Sequence, residues 1–337
     1  MNNPPRTVKV FLTVDTEVWP KSAGWPHRPL GADYDYSRDI ELYFNGGRGE
    51  SGRGLPWQLR TLAAHGLKAT YFVDPLFSFA LGISPLRSVI DLVQQHGQEI
   101  GLHLHPEWLN QSASPVLPAF SGPLLHRYAA EDQSTLVRAG LDRLREAGAG
   151  AVAAFRAGSW GASRETVAAV RRNGLRFDSS LNAQFAASFP DLDERSRSTR
   201  SQPFLLDGLW EFPVTNFIDT PPTGRRPLHV CATSFAETRM VLEFARASGW
   251  YCVAIVLHSF EFVRTDSRGD VAPQRLLAKR FLRLCEYLAD NADRYETCHF
   301  AGIDEAAIPR QAPPSAPVSS RLRTVARQIE QLVSRVY

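Results

Sequence analysis

Two acidic residues stand at the end of the first apolar run of the chain, and two histidines stand at the end of a later one. The run VFLTVDTEVW carries Asp15 and Glu17, which are separated by one residue. The run EIGLHLHPEW carries His103 and His105 at the same spacing. Residues two apart leave a strand on the same side, and open α/β folds place their chemistry at the carboxyl ends of their strands. We therefore expect these four side chains to meet, where they could hold one metal ion.

The elements that would position these residues alternate between short β-branched runs and longer amphipathic segments. This alternation indicates βα units and a mostly parallel sheet. Helices are predicted after Leu55, Pro85 and Ser163, and a later glycine ends each of them. The predicted strands are residues 8–15, 68–73, 99–105, 151–155, 211–214, 251–257 and 297–300. An open sheet would give the same pattern; we favour an α/β fold built as an irregular (β/α)7-type barrel of mostly parallel strands.

The composition excludes several classes of function. The chain has 337 residues, 44% of them hydrophobic, so that it can bury a large core. Its 38 basic and 35 acidic residues are mixed along the sequence, which argues against nucleic-acid binding. No run approaches the roughly 18 apolar residues of a membrane span, and the N-terminus lacks the features of a signal peptide. The four cysteines form no close pair, and a reduced, cytoplasmic protein is expected.

The end of the chain differs from the rest in composition. We divide the sequence into a single catalytic domain (1–307), a Pro/Ser linker (308–320) and an amphipathic basic helix (321–337). One face of this helix is apolar, and arginines occupy the opposite face. We favour packing of the helix on its own domain or on a sister subunit in a homo-oligomer. Peripheral contact with an anionic membrane and docking of a partner protein are the alternatives.

The segment 18–52 is long for a connection within a compact domain and is rich in aromatic residues. Trp19, Trp25 and Tyr34 in this segment are flat side chains of the kind that stack on sugar rings or bond to hydroxyl groups. We interpret them as candidate substrate-binding residues. The alternative is a loop that only packs against its own domain.

Several further motifs occur in an order that resembles the polysaccharide deacetylases, the carbohydrate esterase family four and its relatives. The motifs run in sequence from about residue 8 to 305 and are TVDTE, HGLKATYFV, HGQEIGLHLHPEW, AFRAGSWG, FDSSL, EFPVT and IVLHSFEF. The resemblance implies a barrel fold and a metal-dependent hydrolase.

Two positions depart from the family pattern. The family's second aspartate is Thr16 here, and its second histidine is Glu107. Relatives with an Asp-x-Glu variant of the first motif suggest that Glu17 takes the role of the missing aspartate. The resemblance places His103 on the first metal-binding histidine. For the third ligand of a divalent ion, which we expect to be zinc, we favour His105 over Glu107.

The resemblance also implies roles for residues that do not bind the metal. Asp15 would be the general base for the attacking water, and Arg156 would hold the Asp15 carboxylate by a charge-assisted hydrogen bond. His258 would be the acid that protonates the departing amine. Independently of the resemblance, we expect Trp160 and Phe260 to wall the pocket and exclude water.

The function that these roles describe is removal of an N-acyl group, in particular acetyl, from an amino sugar or a sugar-containing precursor in surface polysaccharide metabolism. Two other classes stay open. A metal-dependent glycosyltransferase would use the Asp15-x-Glu17 pair to hold the metal of a nucleotide sugar. A catalytically silent carbohydrate-binding protein would explain Thr16 and Glu107.

Overall fold

The protein is described by a computed structural model that covers residues 7–336. The gaps are at 23, 31–33, 48–51, 113–115, 118, 220–223, 266–270 and 311–315. The predictions for residues 1–6, for part of the linker and for Tyr337 therefore lie outside the described residues.

The chain alternates strands and helices. The strands are β1 (Val8–Thr16), β2 (Ala69–Val73), β3 (Glu99–Leu104), β4 (Ala154–Ala157), β5 (Phe177–Asp178), β6 (Phe204–Leu206), β7 (Leu209–Glu211), β8 (Asn216–Ile218), β9 (Arg225–Pro227), β10 (Cys252–His258), β11 (Val263–Thr265), β12 (Val271–Pro273) and β13 (Tyr295–Thr297). The α-helices are α1 (Ser37–Ile40), α2 (Leu55–Ala64), α3 (Ser78–Leu81), α4 (Ile83–Gln95), α5 (Ala130–Glu146), α6 (Arg164–Arg172), α7 (Glu194–Thr199), α8 (Phe235–Ala247), α9 (Arg275–Asp290) and α10 (Arg321–Val336). A π-helix spans Glu41–Asn45, and 3-10 helices span Pro106–Gln111, Leu125–Arg127, Gly158–Trp160, Phe300–Gly302 and Glu305–Ala307.

One curled sheet forms the centre of the molecule. Its strand order is β10-β1-β2-β3-β4-β5-β7-β6, and β13 pairs with the first residues of β1. The pairs from β10 to β7 are parallel, and only β6 runs antiparallel to its neighbour. Beyond β7, Val214 donates its N–H to Leu181 and Thr215 donates to Ala254 of β10, so irregular main-chain bonds link the two sides of the sheet. The prediction of an irregular (β/α)7-type barrel of mostly parallel strands is confirmed.

The alternation of side chains along β1 separates the two layers of the core. Val10, Leu12 and Val14 point outward and pack beneath the helices. Phe11 points inward and stacks on Phe300 with ring centroids 4.5 Å apart. The inner aromatic cluster is Phe11, Phe72, Phe177, Phe212 and Phe300. These rings fill the barrel interior below the carboxyl ends of the strands. The polar side chains at the strand ends therefore lie directly above a buried apolar layer.

The helix boundaries follow the capping signals of the sequence. Ser163 caps α6 and forms a capping box with Thr166. The glycines after α2, α4 and α6 adopt positive φ angles of 66°, 67° and 85° at Gly66, Gly97 and Gly174. The helix predicted to open at Pro85 begins two residues earlier, at Ile83.

The last helix packs on the domain with its polar face, whereas its apolar stripe faces solvent. The Arg327 side chain is buried and bonds Asp219 at 2.6 Å and Glu237 at 3.0 Å. Thr324 also donates to Asp219, at 2.7 Å. Buried carboxylates need cations: Arg327 of α10 pairs with both of them, and Arg226 of β9 also contacts Asp219, at 2.7 Å. The exposed fractions of the apolar stripe are 84% for Leu322, 50% for Val325, 56% for Ile329 and 61% for Leu332.

The described residues just before α10 are also attached to the domain. The N–H of Ile218 in β8 donates to the carbonyl of Pro317, and the N–H of Ser319 donates back to Ile218. Among the helices of the described ranges, none has the length and apolar content that crossing a bilayer requires.

Replacement of Arg327 by alanine is expected to lower the free energy of unfolding by about 3 kcal/mol, because it leaves Glu237 buried without its guanidinium partner and removes one of the two guanidinium groups, those of Arg226 and Arg327, that contact Asp219. Chemical denaturation would measure the change. Arg323→Ala is the matched control, since Arg323 is exposed on the same helix and its loss should cost no more than about 0.5 kcal/mol. Equal effects of the two substitutions would contradict a stabilising role for the buried contact.

Candidate active site

The carboxyl ends of four parallel strands bring the predicted chemical groups to one end of the barrel. In the pairing of β1 with β10, Asp15 lies opposite His258. In the pairing of β3 with β4, His103 lies opposite Arg156. Glu17 follows β1 directly and faces the same cleft, because it lies two residues beyond Asp15.

Three buried side chains, Glu17, His103 and His105, form what we call the inner cluster. The Nε2 atoms of His105 and His103 lie 2.5 and 3.2 Å from the same Glu17 oxygen, Oε2. The two Nε2 atoms are 3.1 Å apart. Gly158 after β4 permits this packing, since a Cβ atom there would lie 2.7 Å from the His105 ring.

The hydrogen bonds behind the inner cluster determine which nitrogens are free. His103 Nδ1 lies 2.8 Å from the carbonyl oxygen of Arg156, which can only accept, so Nδ1 carries the proton. His105 Nδ1 faces the Glu107 carboxylate at 3.3 Å, with the same consequence. Two Nε2 lone pairs and a carboxylate oxygen therefore converge on one buried point, where a cation is needed to offset them.

The residues of the inner cluster fit a divalent ion. Two imidazoles and one carboxylate are a donor set that zinc-like ions accept. Burial lowers the pKa of His105, but the charges of Glu17 and Glu107 outweigh it and raise the pKa well above its usual value. Burial raises the pKa of Glu17, and the charge of His105 together with the hydrogen bonds outweighs it and lowers that pKa well below its usual value. A proton on His105 thus provides the cation when no ion is bound.

The two departures from the family motifs have different placements. The Thr16 hydroxyl donates to the carbonyl of Val14, its own strand, at 3.3 Å and takes no part in the inner cluster. Glu107 is buried behind His105. This geometry supports His105 rather than Glu107 as the candidate ligand.

Arg156 anchors Asp15 from below. Its Nη1 donates to Asp15 Oδ1 at 2.7 Å, while Nε and Nη2 donate to the carbonyl and hydroxyl oxygens of Ser179 at 2.9 and 3.0 Å. The guanidinium also lies 4.5 Å over the Phe72 ring. Arg156 is fully buried, so that these contacts fix both its position and that of the carboxylate.

A second buried pair of acids, Asp178 and Glu211, interacts with Arg156. Burial raises the pKa of Asp178 to about 6. Burial and the neighbouring Asp178 raise the pKa of Glu211 well above its usual value. One proton shared between two adjacent carboxyl groups accounts for both directions, and the charge of Arg156 acts against them.

His258 faces the inner cluster from the opposite side of the cleft. Its Nε2 lies 4.0 Å from Asp15 Oδ2 and 3.8 Å from Glu17 Oε1. Its Nδ1 lies 2.7 Å from Glu261 Oε1. Burial lowers the pKa of His258, but the hydrogen bond and charge of Glu261, with Glu17 and Asp15, outweigh it and raise the pKa to about 9.

The predicted aromatic residues line two sides of this cleft. The Trp19 and His105 rings meet edge-on with their centroids 4.6 Å apart, and the ring centroids of Trp19 and Trp25 are 6.1 Å apart. The Phe260 ring centroid is 5.2 Å from that of His258. The Trp160 ring centroid is 5.2 Å from Cζ of the Arg156 guanidinium.

Tyr34 has a different position. Its hydroxyl donates to Asp39 at 2.9 Å, and its ring centroid lies 4.8 Å from that of Tyr36. These contacts lie within the segment 18–52, which we call the outer loop.

Three residues of the site, Asp74, His229 and Glu261, have no role assigned from the sequence. Asp74 follows β2, and burial raises the pKa of Asp74 to about 7. Its Oδ2 has no hydrogen-bond partner among the described residues, and its charge interacts with His105. The run ATYFVDP, a strand that ends on an acid, was the available signal. His229 and Glu261 lie beside His258. Glu261 stands three residues after His258 in the motif IVLHSFEF, which was the available signal, whereas only the structure brings His229 next to His258.

Comparison with known proteins gives a match in structure alone. No protein-family model and no curated protein matches the sequence. A candidate polysaccharide deacetylase from Mycobacterium smegmatis aligns with a TM-score of 0.56 at 17% identity, over 95% of this chain and 97% of that chain. A 4-alpha-glucanotransferase from Thermococcus litoralis aligns with a TM-score of 0.50 at 12% identity, over 88% of this chain and 40% of that chain. A family 4 carbohydrate esterase from Streptomyces lividans has a TM-score of 0.42 at 14% identity, over 92% and 98% of the two chains. At these identities the likeness concerns architecture: the chain has the polysaccharide deacetylase fold, as its ordered motifs predicted.

Proposed function

We propose that the protein is a hydrolase that removes an N-acyl group, in particular acetyl, from an amino sugar or a sugar-containing precursor in surface polysaccharide metabolism. One observation carries the proposal. The inner cluster lies in the same cleft as an aspartate held by Arg156 and a histidine whose Nε2 is 4.0 Å from that aspartate. Amide hydrolysis needs a base, an acid and charge stabilisation around one carbonyl carbon, and this cleft offers all three.

In this proposal Asp15 acts as the base. Arg156 occupies Oδ1, and Oδ2 is directed toward His258 across the cleft. A divalent ion held by Glu17, His103 and His105, expected to be zinc, would polarise the acyl carbonyl and favour ionisation of the attacking water. The Asp15 carboxylate takes the proton of that water, while the fixed guanidinium of Arg156 keeps the carboxylate oriented.

In this proposal His258 acts as the acid. A pKa of about 9 leaves its imidazole protonated at neutral pH. Its Nε2 faces the reaction point, and Glu261 holds Nδ1 from behind. Departure of an amine requires a proton on nitrogen, which the imidazolium delivers as the carbon–nitrogen bond breaks.

The aromatic residues are proposed to bind the sugar and keep water out. Trp19 and Phe260 flank the inner cluster and His258, and Trp160 covers Arg156. Ser159 and Trp160 both have positive φ angles, 51° and 58°, a backbone conformation that non-glycine residues adopt at a cost. Trp25 packs beside Trp19, and we propose that Trp25 and Tyr34 contact a second sugar unit.

The direct test is acetate release from a panel of N-acetylated sugars, oligosaccharides and sugar nucleotides. We expect release by the metal-loaded protein and loss of release after chelation. Nucleotide binding without acetate release would favour the glycosyltransferase. Failure to bind a metal ion and absence of hydrolysis would favour the catalytically silent carbohydrate-binding protein.

We further propose that the apolar stripe of α10 binds an anionic membrane surface and brings the enzyme to a lipid-linked precursor. Four large apolar side chains are exposed along one side of the helix, and Val318 before it is 60% exposed. Arg321 is exposed in the first turn of the same helix, next to Leu322, and matches a negatively charged surface. A cytoplasmic location stays a prediction, under which the substrate would be a nucleotide-linked or lipid-linked precursor.

Co-sedimentation with vesicles tests this partner. We expect the protein to sediment with vesicles containing phosphatidylglycerol and to stay in solution with phosphatidylcholine alone. The double substitution Leu322→Ser and Ile329→Ser should abolish sedimentation, and Gln328→Ser should not. Self-association of the wild-type protein without vesicle binding would instead assign the stripe to a second copy of the chain.

A further inference from the structure

A second group of potential metal ligands lies beside the inner cluster. We call His229, His258 and Glu261 the outer cluster. His258 comes from the end of β10, Glu261 from the turn after it, and His229 from the segment after β9. His258 Nδ1 lies 2.7 Å from Glu261 Oε1 and 3.2 Å from His229 Nε2, which itself contacts the same oxygen.

The arrangement of the outer cluster differs from that of an ordinary ion pair. Two imidazoles that only donate to a carboxylate can divide between its two oxygens. Here both ring nitrogens converge on Glu261 Oε1, whereas Oε2 is buried with no hydrogen-bond partner among the described residues. Two nitrogens and one carboxylate oxygen around a common point are the arrangement of a monodentate metal site.

The outer cluster repeats the geometry of the inner cluster. In each, two histidine nitrogens meet one oxygen of a glutamate, and the nitrogens are 3.1 Å apart in the inner cluster and 3.2 Å apart in the outer one. The atoms of each group lie within 4.8 Å of one another. The outer cluster is more accessible, with the His229 and His258 side chains 16% and 22% exposed, so that an ion can enter from solvent.

We propose that His229, His258 and Glu261 form a second divalent-cation site, of a donor type that suits zinc, and that an ion bound there inhibits the enzyme. Binding places the metal on His258 Nδ1 and releases the Nδ1 proton to solvent. The ring then has one proton left, on Nε2, and no longer exists as the imidazolium that gives a proton to the amine. The binding part of the proposal stands on the geometry, and the inhibition part rests on the proposed function.

Metal stoichiometry tests the site without reference to activity. Metal-free protein titrated with Co²⁺ and followed by calorimetry and visible absorption is expected to bind two equivalents. His229→Ala should bind one, and His103→Ala should bind one by loss of the other site. His96→Ala, a substitution of a half-buried histidine at the end of α4, should still bind two. A single equivalent in the wild-type protein, or two in His229→Ala, would overturn the proposal.

Zinc inhibition tests the consequence. Acyl release by the wild-type protein should fall at least about tenfold as the second equivalent of zinc binds. His229→Ala, compared with its own rate at one equivalent, should lose less than about twofold. Equal inhibition of both proteins would overturn the inhibitory role. Two bound equivalents in a protein without hydrolytic activity would refute the proposed function and leave the second site standing.

Discussion

Asp15→Asn is expected to lower kcat for acyl release by about 1000-fold, because the amide cannot take a proton from the attacking water. The substitution keeps the size of the side chain and an oxygen that can accept from Arg156. The inner cluster is formed by Glu17, His103 and His105, and its metal content should therefore stay at the wild-type level. Steady-state kinetics together with elemental analysis of the purified variant would measure both quantities.

The control for this substitution is Asp35→Asn, which changes an exposed aspartate of the outer loop in the same way. It should leave kcat within about twofold of the wild-type value, since proton transfer involves only groups in direct reach of the substrate. Wild-type kcat in Asp15→Asn would remove Asp15 from the role of base. Loss of the metal together with activity would instead make Asp15 a ligand, as the grouping of four side chains in the sequence first suggested.

The sequence was most informative where one short segment contains both the position of a residue and its chemistry. The run to Asp15 and Glu17 predicts a strand, its end and the side on which both acids lie, and β1 has these features. The run to His103 and His105 does the same for β3. Strand β5 has only two residues, and its segment FDSSL was seen as a motif rather than as a strand, because periodicity needs a longer run.

Positions that depend on distant parts of the chain could not be predicted. His229 reaches the cleft from a segment without regular structure, and no spacing relates it to His258. The amphipathic pattern predicts a helix where α10 lies, but the face that packs on the domain is set by Asp219 and Glu237, two buried acids far away in the sequence. A hydrophobic stripe predicts a buried face only when no stronger interaction competes, and the pairing of Arg327 with the buried carboxylates of Glu237 and Asp219 is such an interaction.

His258→Ala is expected to lower kcat for an amide substrate by at least about 100-fold, because the amine leaves only with a proton. An aryl acetate ester is the matched substrate, since its phenolate leaves without one, and for it the loss should be less than about tenfold. The ratio of the two losses separates an acid from a residue that merely shapes the pocket. Equal losses on amide and ester would assign His258 a structural role.

The dependence of activity on pH is expected to reveal the effect of Glu261, whose carboxylate lies 2.7 Å from His258 Nδ1. The imidazolium is present below its pKa of about 9 and is lost above it, so that kcat/KM for the amide should fall as the pH rises through that value. Glu261 raises this pKa by its hydrogen bond and charge, and Glu261→Gln should therefore move the falling limb to lower pH. A divalent ion at the inner cluster acts in the same direction, because like charges disfavour the imidazolium. A limb that keeps its position in Glu261→Gln would show that the proton comes from another group.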